Sequence, residues 1–231
     1  MTRPFIPTAS PSLTAAARAA SRRRLLHRLH RLGGAVVALF VLLHLGNHLV
    51  ALAGQPAHQR MLEALRLVYR HPLVEPLLLM VLACQLASGA VGAWHLLRTG
   101  GSGRTLPPVA RLQAVSGLVL GGFVLVHVGA VLVGRAVLQL DTNFHFAAAG
   151  LHTPWAWFFA PYYGLGVAAL GVHLACAAQR HRPPQPGAWR RALPWLLGLG
   201  GAVLGALLVA LMAGWLVPVD IPATYLSTYP V

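Results

Sequence analysis

Lysine is absent from this chain of 231 residues, and its acids number only four: Glu63, Glu75, Asp141 and Asp220. Charged residues make up 10% of the sequence and hydrophobic ones 57%, whereas a soluble domain carries about 25% charged residues. So few charges exclude an ordinary soluble domain and leave the membrane class. The two cysteines, Cys84 and Cys176, lie in apolar runs outside any C-x-x-C or C-x-x-C-H pattern. They give no redox-compartment signal and exclude covalent c-type haem attachment. No Walker-type P-loop, G-x-S-x-G elbow or H-E-x-x-H motif occurs, so soluble enzyme classes have no support.

Arginine is present in excess. It supplies all 18 basic side chains and a formal net charge of +14. The arginines alternate with apolar runs and form no contiguous groove-sized patch, so membrane topology explains them better than nucleic-acid binding. A spanning helix needs about 20 mostly apolar residues. Five segments qualify, at 33–53, 73–97, 111–134, 155–178 and 193–217. Stretches rich in glycine, proline and arginine separate them, notably Arg98 to Pro108 and Arg180 to Gly187. The sequence thus predicts an all-α integral membrane protein: a basic segment over 1–32, a five-helix domain over 33–217 and a tail over 218–231.

Arginine bias sets the orientation. One side holds Arg3, Arg18, Arg22, Arg23, Arg24, Arg28 and Arg31, then Arg98, Arg104 and Arg111, then Arg180, Arg182, Arg190 and Arg191. The other side holds only Arg60, Arg66, Arg70 and Arg135. A bacterial-type inner membrane with a cytoplasmic N-terminus and an outer C-terminus is expected. Ser21 to Leu26 resembles a twin-arginine export signal, but no soluble domain follows it, and cytoplasmic anchoring is the simpler reading. Trp155, Trp157, Tyr162, Tyr163, Trp94, Trp195 and Trp215 sit near segment ends, as an interfacial belt would. Arg60 to Arg70 is amphipathic and predicts a short helix on the outer surface. Gly117–Gly121 and Gly201–Gly205 fit close helix packing.

Four spans carry histidine within or just at the end of the apolar stretch: His44 and His48, His95, His127 and His173. Ionisable groups in hydrocarbon are costly and mark candidate functional sites. Antiparallel threading places His44, His48 and His127 toward the outside, and His95 and His173 toward the cytoplasm. The outer pair on the first and third helices and the inner pair on the second and fourth are diagonal partners in a four-helix bundle. Two b-type haems, one nearer each surface, need that layout, with His44, His127, His95 and His173 on iron. His48 is an alternative to His44, and His27 and His30 are substitutes at the inner site. A zinc ion on His44, His48 and His127 competes, although the split in depth argues against a single metal point. His58, His145, His152 and His181 fall in loops and read as solvated.

The run His27-Arg28-Leu29-His30-Arg31-Leu32-Gly33-Gly34, followed by Phe40-Val41-Leu42-Leu43-His44-Leu45-Gly46-Asn47-His48, resembles the first helix of the cytochrome b subunits of succinate dehydrogenase and fumarate reductase. The likeness covers about the first fifty residues. It implies electron transfer between quinone and iron–sulfur and flavoprotein subunits on the cytoplasmic side, through b haem. The diheme branch has five helices in one chain, and His44 in His44–Asn47 corresponds to its first ligand. That branch draws ligands from helices 1, 2, 4 and 5. Here the fifth has no histidine and the third has one, so the other ligands follow from depth alone.

The same resemblance makes Ser21, His27, Arg28 and Arg31 candidates for an inner quinone pocket. At the outer entrance of the second helix, Glu75, with His71 nearby, is a further quinone or propionate candidate. A carboxyl desolvated there could relay protons, or it could pair with Arg70 or Arg66. Gln85 and Gln113 read as polar ties between helices. Two other functions remain open: a haem-free scaffold or assembly subunit, and a small proton-coupled transporter using Glu75, His71 and His48. No inverted repeat of broken helices supports the transporter.

Overall fold

The computed structural model describes residues 11–100, 107–180 and 187–229. Arg3, the Gly101-to-Arg104 part of the second loop, and His181 to Pro186 lie outside the described residues, as do Pro230 and Val231. Every regular element is helical, and no strand occurs among the described residues. The helices are α1 (Pro11–Val50), α2 (Gln55–Tyr69), α3 (Val74–Gly100), α4 (Pro108–Ala136), α5 (Phe144–Ala148), α6 (Ala156–Arg180), α7 (Ala188–Met212) and α8 (Ala223–Leu226). Five of them, α1, α3, α4, α6 and α7, are long and apolar enough to cross a membrane. The chain is a multi-pass, all-α membrane protein.

The boundaries differ from the sequence expectation at both ends of the chain. Residues 11–32 do not form a separate segment, because α1 runs unbroken from Pro11 through the basic stretch into the apolar one. Alanine, arginine and leucine are strong helix formers, and nothing between Pro11 and Leu32 stops the helix. The last span ends at Met212 rather than at 217. Gly214 adopts φ 80°, Trp215 N–H donates to Ala210 O at 2.9 Å, and Gly214 N–H donates to Leu211 O at 3.1 Å. This is the doubly bonded glycine stop of a Schellman cap. Beyond it the tail folds back, burying Ile221 and Tyr225.

Close backbone packing links α1 to α3, α3 to α4, α4 to α6 and α6 to α7. By contrast, α1 makes little or no direct backbone approach to α4 or α6. Apolar side chains face outward along the spans: Leu39, Leu42, Leu125, Leu165, Leu199 and Trp195 are 61–76% exposed. A continuous apolar exterior of this kind is a lipid-facing surface. The main buried cluster lies at the distal end, where α1, α4 and α7 finish. It contains Ala51, Phe144, Ala148, Leu208, Leu211, Met212, Ile221 and Tyr225.

The predicted surface helix over Arg60 to Arg70 is α2, which begins earlier. Gly54, at φ 98°, turns the chain sharply between α1 and α2. Arg66 pairs with Asp141 at 2.5 Å and Arg70 donates to Thr142 Oγ1 at 2.8 Å, latching α2 to the segment after α4. The aromatic belt is smaller than expected. Trp94, Trp155, Trp157, Trp195 and Trp215 are exposed, but Tyr162 donates to Phe123 O and Tyr163 to Ala147 O, so both hydroxyls are spent on interior backbone.

Candidate functional site

The histidines of the distal half come together. His44 and His48 stand one turn apart on α1, with ring centroids 4.9 Å apart. From α4, His127 meets His44 at 5.8 Å, with Phe123 stacked against His127 at 5.4 Å and Phe40 against His44 at 5.8 Å. The expected pairing of α1 with α4 at one depth is therefore present, on helices whose backbones stand apart. Haem iron takes one or two axial side chains from the protein. With metal–imidazole bonds of about 2 Å on each side, two axial rings lie roughly 6 Å apart, centre to centre. The spacing of His44 and His127 fits that requirement. Among the described residues, no three His, Cys, Asp or Glu side chains group as ligands for one metal ion.

Two histidines depart from their expected places, His58 and His145. His58 does not lie in a solvated loop: it is on α2, 1% exposed. Asn47 Nδ2 donates to its Nε2 at 3.1 Å, and its ring lies 5.4 Å from His48 and 5.2 Å from Phe144. Burial pushes its pKa down to about 4, with the Arg66 guanidinium and His145 adding to the shift. His145 is also drawn inward, 5.8 Å from the Tyr225 ring, and His152 donates to Met212 O at 2.9 Å. A signal for His58 was available in its register. His58, Leu62 and Leu65 recur at i, i+4 and i+7, which places the histidine on the apolar face of α2. Several polar atoms of this cluster are buried without a partner: Asn47 Oδ1, His48 Nδ1, His58 Nδ1 and His145 Nδ1. Buried polar groups are normally satisfied, so this concentration marks a place built to meet something further.

The proximal half differs from the expected pairing of His95 with His173. His95 lies exposed near the end of α3, beside Trp94, whose ring Arg98 covers at 4.1 Å. It is His30, on α1, that enters the bundle: its Nδ1 lies 2.8 Å from Ser88 Oγ and its Nε2 3.2 Å from Gln85 Nε2. From α6, His173 places Nδ1 3.3 Å from Gln113 O. Gln85 and Gln113 tie helices together as expected, and Gln113 Oε1 also accepts from Arg180 at 2.8 Å.

The remaining candidates spread over the two ends. Ser21 and Arg28 lie on the exposed surface of α1 with Arg18, Arg22, Arg24 and Leu25, and His27 and Arg31 are exposed on the same helix. At the distal end, His71 Nδ1 accepts from Leu73 N–H at 3.3 Å. Glu75 is not desolvated alone, nor paired with Arg70 or Arg66. Both of its oxygens are held by Arg135, reaching across from the end of α4. The expected partners were close in sequence, whereas antiparallel packing of α3 on α4 brings the start of one helix beside the end of the other. Compared with protein-family models, with curated proteins and with solved structures, the chain matches none.

Proposed function

We propose that this protein is a b-type membrane cytochrome that passes electrons between quinone and a partner redox subunit. The observation that carries the reading is the facing of His44 and His127 across helices whose backbones do not pack directly. Two aromatic side chains stack on these imidazoles, which limits their rotation. Haem bound there would supply the one-electron step by cycling between ferric and ferrous iron. The chain's own task is to hold the two imidazoles, exclude water and set the polarity around the site. The arginine-rich proximal face would lie in the cytoplasm of a bacterial-type inner membrane and dock acidic partner subunits, such as iron–sulfur and flavoprotein subunits. Ser21, His27, Arg28 and Arg31 are the candidate quinone contacts on that face.

The test is a dithionite-reduced-minus-oxidised spectrum of protein purified in mild detergent from haem-replete cells, with pyridine haemochrome quantitation. A low-spin b-type spectrum that is lost or turned high-spin in both His44→Ala and His127→Ala is expected. Wild-type protein without haem would overturn the reading in favour of a helix-packing or scaffold subunit.

A further inference from the structure

The Arg-Leu dipeptide recurs three times on α1, at Arg24-Leu25, Arg28-Leu29 and Arg31-Leu32. Offsets of four and seven residues stack like with like on a helix, so α1 carries an arginine stripe beside a leucine stripe. All six side chains are exposed. The leucine stripe runs on into the span through Val36 and Leu39, which are exposed as well. A different face of α1 meets its neighbour. His30 is bonded to Ser88 and Gln85 of α3, and a Cβ on Gly33 or Gly34 would stand 3.0 or 3.1 Å from the Gln85 side chain.

The two stripes have no common place in a bilayer. Ser88 fixes the level of His30 on α3, and Trp94 and Arg98 follow it near the proximal end of that helix, roughly 9 and 15 Å further out. With the interface at Trp94 and Arg98, Arg28 and Arg31 lie in hydrocarbon, facing away from the bundle. Charged groups at that depth almost always face a bundle interior and are paired. Snorkelling toward the proximal surface relieves Arg24 most and Arg31 least. With the interface moved to Gly33, the arginines are hydrated, but the leucine stripe stands in water. A second helix along this face resolves both placements, since a 3–4 apolar spacing is the seam of two packed helices and flanking charges select the partner.

This chain cannot neutralise the strip. Its four acids, Glu63, Glu75, Asp141 and Asp220, all lie at the distal end. A second copy in the same orientation brings no carboxylate to this level either, and two such strips repel each other. We propose that the Arg-Leu strip of α1 docks a helix of a partner protein that enters the membrane beside it. That helix sets an apolar seam against the leucine stripe and carboxylates against Arg24, Arg28 and Arg31. The proposal rests on the proposed function only for the partner's redox role.

The test uses full-length protein in phosphatidylcholine nanodiscs and a fluorescent synthetic helix with leucine at 3–4 spacing and glutamate beside each leucine. Fluorescence anisotropy should show saturable binding. Combining Arg24→Gln, Arg28→Gln and Arg31→Gln should weaken it roughly tenfold, the sum of three modest ion pairs. Replacing the glutamates of the synthetic helix by glutamine should do the same with the protein untouched. Leu25→Ala with Leu29→Ala should weaken binding too, and since these side chains are exposed, the melting temperature should hold in every variant. Equal binding of the glutamate and glutamine helices overturns the proposal. So does protein that binds neither helix, whether native mass spectrometry shows phosphatidylglycerol held by the three arginines or a dimer held by the leucines. Haem-free protein that binds the glutamate helix leaves this inference standing and overturns the cytochrome reading.

Discussion

At the residue scale, the side chain with the sharpest consequence is His58, because Asn47, His48 and Phe144 leave its imidazolium nowhere to be solvated. Its folded pKa of about 4 lies below the ordinary 6.5, so the unfolded chain takes up a proton that the folded chain refuses. Stability should therefore fall as pH drops from about 6.5 to about 4 and level off below, a total contribution of about 3 kcal/mol. Thermal unfolding in detergent at pH 7 and pH 4.5 captures most of it, and His58→Gln should reduce the pH-dependent difference by about 2 kcal/mol. An unchanged difference would show that His58 is not its source. Residue identity in the sequence made the transmembrane histidines legible as candidates, and the structure places His44 against His127 as depth reasoning expects. His58 and His30 were harder to place. Whether a histidine near a helix end faces solvent or the bundle depends on how the neighbouring helix folds over it.

At the scale of elements, the tightest contact is between α6 and α7. A Cβ on Gly171 would stand 2.5 Å from Leu197 O and 2.7 Å from Gly201 Cα, and one on Gly205 would stand 2.8 Å from Gly164 O. In lipid, where apolar burial gives helices no reason to associate, such close backbone approach is a main source of packing energy. Gly171→Val should force the helices apart and destabilise the protein by about 2 kcal/mol or more, within the range for overpacked interiors. Gly200→Val, where nothing lies within 4 Å, should change little. Melting temperatures of the two variants decide it, and equal losses would discount the interface. The five spans were readable because length and apolar run specify a membrane helix almost alone.

At the scale of the whole molecule, charge and packing are distributed in opposite directions. Arginines crowd the proximal loops and the first half of α1, while the buried cluster sits at the distal end. The arginine distribution predicts a cytoplasmic N-terminus. A C-terminal alkaline phosphatase fusion should be active and a C-terminal fluorescent-protein fusion dark, and the reverse pattern would invert the topology. Arg66, Arg70 and Arg135, three of the four distal arginines, are bonded to Asp141, Thr142 and Glu75. The minority charges thus hold the distal cap together and leave few free positive groups on that face.

That cap is assembled from widely separated parts of the chain. Asn47 and His48 come from the first helix, His58 from the second, Phe144 and His145 from the middle, and Ile221 and Tyr225 from the end. During biosynthesis the first-helix residues of this cap are made long before Ile221 and Tyr225, which pack into the same cluster. The distal cap therefore stays incomplete until that late segment has been made.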